Sequence, residues 1–339
     1  MSDLPDRISV LRRRAGIIAA LRHFFDQRGY LAVETPQLCR TPIPEAHIEL
    51  FETHRTGTAD DAGTRGDSGT AKDVGDTLWL LPSPEYYLKQ LLAAGSGNLY
   101  EITHSFRDGE AIGRHHDIEF TMLEFYTVDA DSDRSLEITR DLLRKSGEAT
   151  PPVTRTMQEL WAQFVGIDLA ATIHVVPNAP LPTGNRERLA EAIHAAGLSL
   201  AVSPKDSWED LFQRVFLTYV EPELPRDRPV FVVDYPAPVS TLARLRPGTP
   251  WADRWELYLG GVEVANCYGE ETDPERIERF FREQQREKQL LGRRQHPVNN
   301  AYLSAPRLPH CSGVALGVDR LVMHLLGADT MGEVVTFRP

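Results

Sequence analysis

The chain has 339 residues and a formal net charge of −12. Its 41% hydrophobic and 25% charged residues describe a globular protein long enough to bury a core without staples. The acidic balance argues against a surface built to grip long nucleic acid by its phosphates, and no apolar run approaches the ~18 residues of a membrane span.

Residues 5–28 predict an amphipathic helix: Ile8, Leu11, Ile18, Leu21 and Phe25 recur at intervals of three, four and seven, and Gly29 is the expected stop. "YLAVETPQL" predicts a short strand ended by Pro36. Residues 55–76 are rich in Gly, Asp and Thr and predict a solvated, mobile loop, either a tolerated insertion or a lid. "TLWLLPSPEYYLKQLLAAG" reads as a strand, a turn and a helix, with Ser83 as cap and Pro84 in the first helical position. "NLYEITHSFR" and "IEFTMLEFYTV" read as two strands joined by a polar loop of about ten residues. Further on, helices are expected around 156–165, 186–197 and 207–220. "PVFVVDYP" reads as a buried strand, "RWELYLGGVEVANCY" as a hairpin turning at Gly260-Gly261, and 274–291 as a charged helix. "CSGVALGVDRLVMHLLG" reads as a strand passing into a helix. Strands without regular βαβ alternation predict an α+β fold, a mainly antiparallel sheet flanked by helices. Cys39, Cys267 and Cys311 are too scattered for a disulfide framework or zinc site, and the N-terminus lacks an apolar signal region. A cytoplasmic location is expected.

Three segments carry chemistry. In "IEFTMLEFYTV" side chains alternate faces, so Phe120, Met122, Glu124 and Tyr126 share one of them. A flat aromatic, a carboxylate and a phenol there suit a purine and a cationic group. They equally suit a half-buried strand with Glu124 in solvent. The preceding loop adds Arg107, Arg114, His115 and His116, and arginine binds phosphate bidentately. In the second hairpin a two-residue turn would pair Tyr258 with Glu263 and Glu256 with Ala265. Glu256 and Glu263 then lie diagonally on one face, either around a hard cation or with Arg254 as partner. In "GVALGVDRLVM", Gly313 and Gly317 allow close approach, and Arg320 falls in the first turn of a helix, where a cation is unfavourable for the helix itself.

Together these pieces resemble the catalytic domain of class II aminoacyl-tRNA synthetases, the lysyl enzymes above all. "GYLAVETP" resembles motif 1, "FRDGEAIGRHHDIEFTMLEFY" motif 2 and "GVALGVDRLVM" motif 3; "SPEYYLKQLLAAG" and "GVEVANCYGEETD" are close to further lysyl-type segments. The resemblance covers nearly the whole chain. Motif 1 starts about 30 residues in, so a single catalytic domain over 1–339, without an anticodon-binding domain, is expected. That form, with "FTMLEFY", "RQHPV" and "PHCSGVALGVDRLVM", resembles the elongation factor P–(R)-β-lysine ligases.

The resemblance implies that lysine or (R)-β-lysine is activated with ATP and Mg²⁺ as an aminoacyl-adenylate and passed to a lysine of elongation factor P, by a homodimer. Arg107, Glu263 and Arg320 would be the catalytic set. Arg107 would meet the α-phosphate and the carboxylate, Phe120 would stack on adenine, and Arg320 would meet the γ-phosphate. Glu110, His116 and Gly317 would complete the ATP site, and Glu256 with Glu263 would bind Mg²⁺. Glu85 would take the backbone amine. Glu124, Tyr126 and Glu270 would hold the side-chain ammonium, with Ser83 and Asn266 alongside. Ala315, where lysyl-tRNA synthetases have glycine, would stand at the pocket wall and favour a β-amino acid. Cys267 stands where the family has glycine, beside the substrate, and the motif 2 loop is one residue longer. Two other readings share these residues: aminoacylation of tRNA or another carrier, and a catalytically silent paralogue that binds amino acid or ATP.

Overall fold

The computed structural model describes residues 4–55, 77–175, 181–298 and 308–338; the loop expected at 55–76 lies, apart from Arg55, outside them. Helix α1 (Leu4–Asp26) ends at Gly29, whose φ of 72° is the left-handed stop the sequence asks for. It lays Leu21, Phe24 and Phe25 on the sheet, with the Phe25 ring 4.9 Å from Tyr100 and 4.8 Å from Phe125.

The strand expected next is shorter than predicted. Only β1 (Leu31–Ala32) pairs, parallel to the start of β5 (Leu99–Phe106). Beyond it the Thr35 amide and hydroxyl bond the Glu101 carboxylate, both at 2.8 Å, and Pro36 has no amide to donate. A side chain thus replaces the backbone ladder. Strands β2 (Leu38–Cys39), β3 (Glu52–His54) and β4 (Thr77–Leu80) form a small separate sheet in the order β2-β4-β3. Helix α2 (Glu85–Ala93) follows, with Pro84 at the N-cap, one position earlier than expected; the Ser83 hydroxyl accepts the Glu85 amide at 3.0 Å.

After β6 (Glu119–Val128) comes α3 (Ser132–Ser146), a helix the sequence reading passes over. Its signals are ordinary: Asp131 caps the Arg134 amide at 2.9 Å, Leu136, Leu142 and Leu143 are buried, and Gly147 closes it at φ 110°. Then follow β7 (Val153–Thr156), α4 (Met157–Phe164), the β8 (Ile173–His174) and β9 (Thr183–Gly184) pair, α5 (Arg186–Ala195) and α6 (Trp208–Val215). The last runs on as a π-turn over Phe216–Val220. These three helices match the expected ones and build a second core around Trp161, Trp208 and Phe212.

The chain completes the main sheet with β10 (Val230–Val233), β11 (Arg254–Leu259), β12 (Val262–Gly269) and β13 (Cys311–Gly317). Helix α7 (Pro274–Leu290) precedes β13; α8 (Val318–Leu326) and α9 (Met331–Val334) follow it. The strand order is β1-β5-β6-β13-β12-β11-β10-β7, and only the two outermost pairings are parallel. The α+β, mainly antiparallel expectation holds. One face of the sheet, carrying Leu123, Phe125, Ala265, Cys267, Val314 and Leu316, packs in one core with α1, α3 and α8. On the other face Val230, Val232 and Tyr258 join the second core and Leu99, Tyr126 and Cys311 pack against α2, and the stretch between them is left for chemistry. Among the described residues no helix is long and apolar enough to cross a membrane.

Candidate active site

Antiparallel register brings distant residues into one row. Glu101, Glu124, Ala315, Asn266 and Glu256 are successive cross-strand partners over β5, β6, β13, β12 and β11. Cross-strand partners project to the same face, so this row crosses the side of the sheet opposite the α1, α3 and α8 core. A neighbouring row runs Tyr126, Gly313, Tyr268 and Arg254.

Under α2 lies an acidic pocket. Glu124 is buried there; Ser83 donates a short hydrogen bond to it and Tyr126 a long one of 3.4 Å. Burial, reinforced by the charge of Glu85, pushes the Glu124 carboxyl up to about 8. Glu270 is 2% exposed, and burial raises it too. A Cβ on Gly313 would collide with the Tyr126 ring and with Glu270 Oε1, so the close approach expected of that glycine is what lets these two side chains meet over the strand. Ser83, Glu85, Glu124, Tyr126 and Glu270 therefore come together as expected. Lys89 joins them unannounced: its Nζ lies 2.5 Å from Glu85 Oε1 and 2.7 Å from Glu270 Oε2. The i,i+4 spacing from Glu85 was visible in "EYYLK"; the partnership with Glu270 is long-range and was not.

Beside the pocket opens a cleft lined by Arg107, Glu110, His116, Phe120, Glu263, Asn266, Ala315, Gly317 and Arg320. The Arg107 guanidinium lies over the Phe120 ring, 5.2 Å from its centroid, leaving a flat cation and a flat aromatic as walls. Glu110 stands 3.9 Å from Arg107 and 3.6 Å from His116. Arg320 donates to the Glu263 carbonyl at 2.7 Å and the His115 carbonyl at 3.0 Å, and lies 3.2 Å from His116 Nδ1. Burial and the Arg320 charge lower both histidines below the usual imidazole value. Asp319, not anticipated, fixes the base of the cleft: it bonds Arg14 of α1 at 2.6 Å and accepts the Thr121 amide at 2.7 Å. Gly317 is less demanding than its motif suggests, since a Cβ there would meet the Val264 carbonyl at an ordinary 3.7 Å.

Two expectations need correction. Glu256 pairs with Asn266 rather than Ala265, because a bulge at Val264 adds a residue to β12. Its carboxylate is also spoken for: Arg254 reaches Oε1 at 2.6 Å, and Tyr258, at 2.8 Å, and Tyr235 both donate to Oε2. The Arg254 partnership is thus the one observed. Glu263 faces the cleft, and burial together with the charge of Glu256 raises its carboxyl against the opposing charges of Arg320, Arg254 and Arg107. Cys267 does not stand beside the substrate pocket. It belongs to the core on the opposite face, next to Ser135 of α3, and burial pushes its thiol up.

A mainly antiparallel sheet whose open face joins an arginine–aromatic cleft to a second, acidic pocket is the catalytic architecture of a class II synthetase. The chain belongs to that family: the model for class II tRNA synthetases (D, K and N) matches residues 4–338. It is 37% identical over 333 residues to the elongation factor P–(R)-β-lysine ligase of Yersinia enterocolitica, a match covering 97% of this chain and 95% of that protein. The ligases of the same name from Klebsiella pneumoniae strain 342 and Erwinia tasmaniensis are 36% and 35% identical, over 96% and 97% of this chain and 94% and 95% of theirs.

Proposed function

We propose that the chain activates lysine or (R)-β-lysine as an aminoacyl-adenylate and transfers it to a lysine side chain of elongation factor P. The observation that carries the reading is the row Glu124–Ala315–Asn266, which runs from the acidic pocket into the cleft of Arg107, Phe120 and Arg320. A diamine would sit with its ammonium groups among Glu85, Glu124, Tyr126 and Glu270 and its carboxylate toward Arg107. Adenine would lie against Phe120, and Arg320 would meet the terminal phosphate, with Glu110, His116 and Gly317 around the nucleotide. One oxygen of the amino-acid carboxylate then bonds to the α-phosphorus as the bond to the β-phosphate oxygen breaks, releasing pyrophosphate. The acceptor's ε-amine attacks the acyl carbon, loses a proton, and AMP leaves. The protein contributes orientation and fixed positive charge rather than a covalent intermediate.

The donor set supports Mg²⁺ carried mainly by the phosphates and by Glu263, with Glu256 available only if Arg254 releases it. Bound there, the ion would neutralise phosphate charge. A homodimer in the cytoplasm, working without anticodon recognition, completes the reading.

Amino-acid-dependent exchange of pyrophosphate into ATP tests activation; no exchange with lysine or (R)-β-lysine overturns the proposal. The mass of elongation factor P after incubation tests the acceptor. Charged tRNA beside unmodified elongation factor P would overturn that part alone.

A further inference from the structure

We infer that Lys89 is a positioning residue for amino-acid recognition: as an internal ammonium bridging Glu85 and Glu270, it fixes both carboxylates in place and sets the pocket to accept two further ammonium groups. The inference rests on the functional reading above and deepens it, because it makes a diamino acid the required substrate class.

The argument begins with burial. Lys89 is 3% exposed, and a lysine goes so deep only when its charge is compensated. Its compensation comes from the two carboxylates the pocket needs, one on its own helix and one just past the end of β12. Among the described residues, the charged and titratable groups around it include Glu45, Glu85, Glu124, Glu270, Arg244 and the buried Cys311 thiol. Arg244 acts on Glu270 through its charge while paired with Asp253 at 2.9 Å, and among the described residues Lys89 is the cation in direct ion-pair contact with Glu85 and Glu270. Burial holds Glu124 and Glu270 partly protonated in the empty pocket; once incoming cations ionise them, three carboxylates (Glu85, Glu124, Glu270) less one ammonium leave two negative charges. A substrate with two ammonium groups matches that number, provided its own carboxylate is met by Arg107.

Geometry adds a second effect. Without Lys89, Glu85 and Glu270 would be like charges with nothing between them, free to turn apart and to take up protons near neutral pH. The Lys89 charge lowers Glu270 against a burial effect that raises it, so removing it drives the carboxyl further up. The ionised, aligned pair that the substrate needs would then exist only at higher pH.

The test is binding of lysine and (R)-β-lysine by calorimetry between pH 6 and 9, with ATP binding measured alongside, for the wild type, Lys89→Met and Lys89→Arg. Lys89→Met, nearly isosteric, should weaken amino-acid binding about tenfold at pH 7 and shift its acid limb upward by about one pH unit, while ATP affinity stays within about twofold. Lys89→Arg keeps the charge and should keep the wild-type limb. A limb that does not move in Lys89→Met, one that moves equally in Lys89→Arg, or a parallel loss of ATP affinity overturns the inference. A wild-type protein that binds neither amino acid overturns the functional reading, and the inference falls with it.

Discussion

Ala315 stands directly opposite Glu124 in the β6–β13 ladder, so its methyl group and the buried carboxyl share one face of the sheet. The methyl lines the cleft beside the acidic pocket, where on the proposed function the carbons of a bound amino acid would pass. Ala315→Gly is expected to raise the ratio of kcat/KM for α-lysine over (R)-β-lysine about tenfold, within the ~1–3 kcal/mol that one methyl commands. Pyrophosphate exchange with both amino acids measures it. An unmoved ratio would mean that the methyl does not touch substrate.

The raised carboxyls give the protein a definite pH response. A carboxyl whose pKa moves from 4.5 to about 8 on folding, as for Glu124, favours the folded state below the lower value and loses that contribution as pH climbs to the upper one. Glu45, Glu263 and Glu270 are raised in the same sense by burial. The ligand-free protein should therefore lose thermal stability from about pH 6 to pH 8.5, and added lysine should restore more of it at the upper end. Melting curves across that range, with and without lysine, check this. A lysine-induced rise in Tm that shrinks with pH would contradict it.

The two motif 3 glycines should behave differently. Gly313→Ala drives a methyl into Tyr126 and Glu270 and should cost about 1–3 kcal/mol of stability together with at least about tenfold in amino-acid KM. Gly317→Ala meets only ordinary contacts and should fold with wild-type stability. Denaturant unfolding of the two variants side by side makes the comparison.

The two hairpin glutamates separate in the same way. Glu256→Gln breaks the partnership with the largely buried Arg254 and should destabilise by about 2–4 kcal/mol, toward the cost of leaving a buried charge unpaired. Glu263→Gln leaves that network intact, so it should melt normally yet lose more than about a hundredfold in pyrophosphate exchange. Equal melting temperatures for the two variants would show that Arg254 does not depend on Glu256.

Much of this was legible in the sequence. The period-two pattern of β6 placed Glu124 and Tyr126 on one face, and the Gly260-Gly261 turn fixed the Tyr258–Glu263 pair. What escaped is what local pattern does not encode. A bulge is one residue without a partner, and Val264 looks like any other strand valine, so pairing beyond it slipped by one. The same slip of perspective put Cys267 by the substrate, although alternation from Asn266 would have turned it toward α3. Lys89 and Asp319 were hidden for another reason. Each works through a partner on a remote element, Glu270 in one case and Arg14, 305 positions away, in the other. Only the packing of the helices onto the sheet brings such pairs together.

The register also has a consequence for how the protein is made. β13 lies between β6 and β12 and is the last of the described strands to be synthesised. Until it arrives, the nascent chain holds two half-sheets with bare facing edges, which is the kind of surface that pairs with the wrong neighbour. The acidic pocket and the cleft straddle that seam. A chain interrupted before Cys311 would thus be both inert and sticky, and competence would appear in a single late step rather than by degrees.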